Sequence, residues 1–323
     1  MTRRTLLRTF LAACLAISAS AWAQSYPTKP VRLIVAFPAG GGSDIVGRIV
    51  AQNLSERLGQ QVFVDNRAGA GGSIGTGAAV SATPDGYTLV LGGTSEIAVN
   101  PFIYSKLGYD TVKDLVAIGL VGTTPMVVVV PPDLPAKSIQ DFVAMAKAKP
   151  GQVNVGSAGN GSFTHLAAEL FRSMNGLKWQ HVPYKGAPPA LNDLASGRVQ
   201  VMFSTIPAAM ALIKANRIRP IAVSTQSRAA TLPEVPTVIE AGVAGYDVQF
   251  WYGVFAPAAT PKNIVARLSQ AVAQAVKDPS LIESLAKQGV IASDMTPRQF
   301  AAYVKAEVTR WGKVVKESGA KVD

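Results

Sequence analysis

Short runs of β-branched residues alternate with segments of helical period along most of this chain, and no other feature narrows its fold as much. Parallel strands need a crossover long enough to hold a helix, so strand–helix alternation points to α/β sheet. The first strand runs are Val31 to Phe37, Val62 to Val64 and Tyr87 to Leu91. Ile45, Ile49, Val50, Leu54 and Leu58 fall between the first two on one helical face. A Gly-rich turn and a helix of small residues over 73–81 lead to the third. Met126 to Val130 is a continuous apolar run, as expected of a strand buried on both faces.

The alternation then resumes. Helices are expected over 138–148, 162–175, 187–196 and 207–215, and strands over 153–156, 181–183, 199–204 and 218–223. Val248 to Phe255 reads as another strand. In the tail, Phe300, Tyr303, Val304, Val308, Trp311 and Val315 are 3–4 apart, so that helix lays one stripe on a core. At 323 residues the chain is long enough for two cores. Two parallel α/β blocks, 26–123 and 131–247, are joined by segments near 124–130 and 248–256. The tail has no sheet of its own and is expected to return to the first block. The chain would then cross between lobes twice, which makes a hinge with a cleft.

The first 23 residues read as an export leader rather than fold. Arg3, Arg4 and Arg8 precede an apolar stretch over 10–17, and Ala21-Trp22-Ala23 is an A-x-A cleavage pattern. The apolar stretch is too short to span a bilayer. Arg3-Arg4 also fits a twin-arginine signal, so the Sec and twin-arginine routes both remain open. Cleavage after Ala23 removes Cys14, the single Cys, and takes three Arg from the net charge of +11. A catalytic Cys, a disulfide framework and a Cys-ligated metal site are then excluded. Apolar residues at 48% and charged residues at 16% exclude a disordered chain. The remaining Lys and Arg are scattered, without a basic stripe, so nucleic acid is not an expected partner.

Two glycine-rich strand–helix junctions carry the chemistry. Phe37-Pro38-Ala39-Gly40-Gly41-Gly42-Ser43-Asp44 is the first. Glycines admit a ligand close to backbone N–H groups, and the helix start adds unpaired donors and a positive dipole end, which suits a carboxylate or phosphate. The same residues also fit a tight turn capped by Ser43 or Asp44. No Lys completes a P-loop. The second junction, Gly156-Ser157-Ala158-Gly159-Asn160-Gly161-Ser162-Phe163-Thr164-His165, could face the first across the cleft. Gly71-Gly72-Ser73-Ile74-Gly75 matches the G-x-S-x-G nucleophile elbow, but Ser73 lies nine residues past Val64 and no His follows His181. His165 and His181 have no acid or Cys at ligand spacing, so neither metal nor cofactor is expected. Trp251 and Tyr252 lie on the second crossing, either as packing or as cleft wall.

Taken together these stretches resemble the Bug (TctC-like) extracytoplasmic solute receptors of tripartite tricarboxylate transporters. The resemblance rests on Tyr26-Pro27-Thr28-Lys29-Pro30, the 37–44 loop, Gly69-Ala70-Gly71-Gly72, Pro84-Asp85-Gly86-Tyr87 and Ala148-Lys149-Pro150-Gly151. Val182-Pro183-Tyr184-Lys185-Gly186, Leu232-Pro233-Glu234-Val235-Pro236-Thr237 and Trp251-x-Gly253 follow in order.

The resemblance implies a two-lobed type II periplasmic binding protein, a flytrap with a hinge crossed twice. Residues 24–125 plus 251–323 would form lobe 1 and residues 126–250 lobe 2. It implies a monomer in the periplasm that captures a di- or tricarboxylate or an aromatic acid and passes it to integral membrane transporter subunits. Carried over by position, Phe37, Ala39, Gly40, Gly41, Gly42, Ser43 and Asp44 would grip the carboxylate with Ser157, Ala158, Gly159, Asn160, Gly161, Ser162, Thr164 and His165. Ser73, Thr94, Ser95, Tyr184, Ser204, Thr205 and Trp251 would complete the site. Ser204 stands where many relatives have Asp, which argues for a ligand without an amine. The alternatives are an exported α/β hydrolase with Ser73 as nucleophile, and a ligand sensor for a signalling partner.

Overall fold

Residues 26–318 are described by a computed structural model of the chain. The expected leader, with Cys14 and the cleavage site after Ala23, lies outside the described residues.

The first block forms β1 (Val31–Val35), α1 (Gly42–Leu58), β2 (Val62–Asn66), α2 (Ser73–Val80) and β3 (Thr88–Gly93). Gly59, at φ 69°, stops α1 in the left-handed conformation that a residue with Cβ resists. A wide π-type turn over Thr94–Val99 and the short α3 (Asn100–Ile103) follow β3. Next comes β4 (Leu115–Val130), which is 16 residues long. The second block is α4 (Ile139–Ala148), β5 (Asn154–Ser157), α5 (Phe163–Asn175), β6 (Gln180–Pro183), α6 (Ala187–Ala195), β7 (Val201–Thr205), α7 (Ile206–Lys214) and β8 (Arg219–Val223). The chain ends with β9 (Gln249–Pro257), α8 (Lys262–Ala275), α9 (Pro279–Lys287), β10 (Ile291–Ala292) and α10 (Pro297–Ser318).

Strand order is β2-β1-β3-β9-β4-β7-β5-β6, with β10 and β8 also on β4. β1 pairs in parallel with β2 and β3, and β5 with β6 and β7. The expectation of wholly parallel sheets is corrected by the crossing strands. Residues 115–125 of β4 run antiparallel to β9, and Met126 to Val129 run antiparallel to β7. Because the chain passes outward along β4 and back along β9, the two must oppose each other. Residues 124–130 are therefore not a connector but part of a strand shared by both sheets. The two passes are tied at Ser224. Its N–H donates to Met126 O (3.0 Å), its Oγ accepts from Met126 N (2.8 Å) and donates to Val248 O, and Val248 N donates to Ser224 O (3.0 Å).

The tail helix α10 returns to the first block, as its apolar stripe requires. Phe300 and Trp311 are fully buried, and the indole of Trp251 stands edge-on to Phe300 at 5.9 Å. The two indole N–H groups, of Trp251 and Trp311, both donate to Glu307 Oε2 (3.2 and 2.9 Å), so a buried carboxylate is fully engaged in holding the helix. Phe163 of the second block also meets Trp311 edge-to-face at 4.8 Å.

Gly253 on β9 leaves no room beneath Phe300: an added Cβ would overlap Phe300 Cζ and lie 2.8 Å from its Cε1. Gly253→Ala is expected to lower the unfolding free energy by about 1–3 kcal/mol, measured by urea denaturation, since a packed core resists extra volume. An unchanged midpoint would contradict the seating of α10.

Candidate functional site

The two glycine-rich junctions meet between the sheets. α1 and α5 point their N-termini at a small chamber of about 40 Å³. Gly42, Ser43, Ser95, Thr164 and Thr205 line it together with Phe37. A second cavity of about 630 Å³ shares Phe37, Pro38 and Ala158 with the chamber and opens outward past Gly71, Tyr104, Asn160 and Lys185. The walls touch directly across the cleft. Phe163 N donates to Ser95 Oγ (3.0 Å) and Tyr104 Oη to Asn160 O (3.1 Å).

Asp44 shapes the first junction. Its Oδ2 accepts from Gly40 N (2.9 Å) and Arg48 Nε (3.0 Å), and its Oδ1 from Asn66 Nδ2 (3.0 Å) and Arg48 Nη2 (2.9 Å). Burial alone would push this carboxyl up, but Arg48, the Gly40 N–H and Asn66 outweigh it and hold Asp44 below the usual carboxylate range. Asp44 thus consumes the Gly40 N–H, and Pro38 O takes that of Gly41 (3.2 Å). The N–H groups of Gly42 and Ser43 have no acceptor among the described residues, and both residues line the chamber. At the second junction Ser162 Oγ caps α5 by accepting from His165 N (3.3 Å), which leaves the Thr164 N–H without an acceptor among the described residues. The lining therefore offers main-chain donors and hydroxyls, and no charged side chain.

Several expected site residues lie elsewhere. Asp44 faces its own loop rather than the chamber. Ala39 and Gly40 are exposed and line neither cavity. Thr94 is buried, with its Oγ1 accepting from Trp251 N (3.1 Å). Ser204 is fully buried and donates to Thr205 O (3.3 Å). Trp251 is core, because alternate strand residues face opposite ways and its neighbour Phe250 takes the chamber side. Ser73 Oγ donates to Ala70 O (2.8 Å) and has no His partner among the described residues, so the contact a Ser73 nucleophile needs is missing. Gly161 packs on the Tyr104 ring. Gly159, Asn160 and Tyr184 line the outer cavity, and Ala158 and Ser162 the chamber. Pro38 and Phe163, which lie inside the two junctions, and Phe250 and Lys185 also line the cavities although none was an expected site residue. The alternation through 248–255 carried a signal for Phe250, which lies on the face opposite Trp251; of the two readings left open for Trp251, packing is the one its burial matches.

Behind the second junction His165 and His181 stack at 3.8 Å, and Ser157 Oγ is 2.6 Å from His181 Nε2. Burial, and then the adjacent His165, push His181 down to about 4. The pair is neutral at neutral pH, and its contribution to stability is lost as pH falls from 6.5 towards about 4. Ser157 and His165 therefore belong to this internal stack. Glu96, in the π-type turn, is buried with Oε1 accepting from Gly93 N (2.7 Å) and Oε2 without a partner. Burial pushes it up to about 7.

Two outcomes follow from this geometry. A Cβ on Gly42 would overlap Thr205 Oγ1 and lie 3.1 Å from Tyr252 Oη. Gly42→Ala is expected to hold the lobes apart, with a larger radius of gyration by small-angle scattering, and a second change, Thr205→Ala, is expected to reverse it. Glu96 favours the fold while neutral, so its contribution is lost as pH rises from 4.5 through about 7. Glu96→Gln should therefore raise the melting temperature relative to wild type more at pH 8 than at pH 5; an equal effect at both would place Glu96 in contact with solvent.

Residues 46–320 match the family model for the tripartite tricarboxylate transporter family receptor. BugT of Bordetella pertussis is 36% identical over 100% of this chain and 99% of its own length. Among solved structures, an R. palustris protein, Rpa4515, described with adipate, is 37% identical, covers 92% of this chain and 100% of its own, and superposes with a TM-score of 0.89. MatC from Rhodopseudomonas palustris, described with bound malate, is 30% identical, covers 90% and 100%, and gives 0.86. Proteins of this kind are periplasmic binding proteins rather than enzymes, and among the described residues no helix is long and apolar enough to cross a membrane. A two-lobed α/β fold, glycine-rich junctions meeting at its cleft and a family match across most of the chain agree: this is a periplasmic solute-binding receptor of the TctC (Bug) family.

Proposed function

We propose that the protein captures a small organic carboxylate lacking an ammonium group and delivers it to the membrane subunits of a tripartite tricarboxylate transporter. Residues 24–125 with 251–323 act as one lobe and 126–250 as the other. The observation that carries this reading is the chamber lining. It presents the free N–H groups of Gly42, Ser43 and Thr164 beneath two helix N-termini, with no acid to hold an amine and no base to require a second partner. A carboxylate head group satisfies such donors through charge-assisted bonds, each worth about 1.5–3 kcal/mol. The helix termini add about 0.3–2 kcal/mol apiece. Relatives described with adipate and malate support the same ligand class.

Capture proceeds by closure. The donors of lobe 1 and lobe 2 are complete as a set only when the two junctions meet, so an anion binds the shut form better and shifts the population towards it. Delivery reverses this when the membrane partner favours the open form.

The test is a thermal-shift and calorimetry series on the mature protein. A fitting di- or tricarboxylate at about 100-fold its Kd should raise the melting temperature by about 5 °C. Aspartate and glutamate should leave it unchanged. A shift with the amino acids but none with amine-free acids would overturn the reading.

A further inference from the structure

We propose that Lys185 is the residue that recognises the far end of the ligand, selecting acids that carry a second anionic group. The inference rests on the chamber being the carboxylate site. That chamber, at about 40 Å³, is far smaller than the outer cavity and suits the head group of a ligand. The remainder of the ligand then passes Phe37, Pro38 and Ala158 into the outer cavity, which offers about 630 Å³ and opens outward. Among the described residues the wall of that cavity contains no acidic side chain, and Lys185 is its single charged group. Lys185 is exposed and forms no ion pair among the described residues, so its ammonium is available.

Its backbone, in contrast, is held on both sides. Tyr184 Oη donates to Asp193 Oδ2 (2.8 Å). Gly186, at φ 110°, lies so close to the first lobe that an added Cβ would be 2.5 Å from Pro38 Cγ. The 184–186 segment therefore reaches the rim of the first junction, and Lys185 belongs to the wall of the cavity into which the chamber leads. A long flexible stem with a strongly hydrated head suits a far-end group whose distance varies among ligands. A carboxylate with a hydrocarbon end gains nothing from it.

The test compares α,ω-dicarboxylates of four to eight carbons with monocarboxylates of equal length, by calorimetry at low salt on the full mature chain. Wild type should bind its preferred dicarboxylate at least tenfold more tightly than the matched monocarboxylate. Lys185→Gln should reduce that preference to within about twofold while leaving monocarboxylate affinity unchanged, and Lys185→Arg should retain it. A preference that survives Lys185→Gln, or equal binding of both series by wild type, overturns the role of Lys185 and leaves the carboxylate site standing. Binding of neither series overturns the carboxylate site itself.

Discussion

One strand belonging to two sheets is the constraint on which the rest of the structure depends. β4 pairs with β9 over its first part and with β7 over its last, so the lobes share a backbone as well as a boundary. A shared strand fixes where bending can occur, because hydrogen-bonded ladders on either side resist it. Ser224 strengthens this by binding both passes of the chain with one residue. The junctions of Gly42 and Ser162 lie opposite each other on this frame, joined across the cleft by Phe163 N to Ser95 Oγ and Tyr104 Oη to Asn160 O.

Within that frame the site is built by subtraction. Helix starts begin with unpaired N–H groups, and the loop takes most of them for itself. Asp44 takes the Gly40 donor, Pro38 the Gly41 donor and Ser162 the His165 donor. What remains is a small set aimed at one point. The same economy explains why the chamber needs no charged side chain. An ammonium or guanidinium there would attract many anions, whereas main-chain donors are fixed in direction by the backbone that carries them.

The alternation of strand and helix was legible because it repeats and because each run is bounded by glycine or proline. The two junctions were legible as types of turn. The start of β4 was not, since Gly119, Gly122 and Pro125 break the apolar run, and its pairing partner lies far along the chain. Side-chain direction was the other hidden quantity. Arg48 sits four residues after Asp44 and marks a helical ion pair. Asn66, which turns the carboxylate inward, comes from a different strand and leaves no local trace. Trp251 and Phe250 show the same difficulty: a strand of aromatic residues displays its period but not its phase.

The fourfold engagement of Asp44 also decides how much freedom the first junction has to vary. A carboxylate bonded to a main-chain N–H, an amide and a guanidinium cannot be retuned by degrees; altering any one of them unsettles the loop as a whole. Change in what the cleft admits therefore falls to exposed side chains of the outer wall, such as Lys185, which forms no ion pair among the described residues.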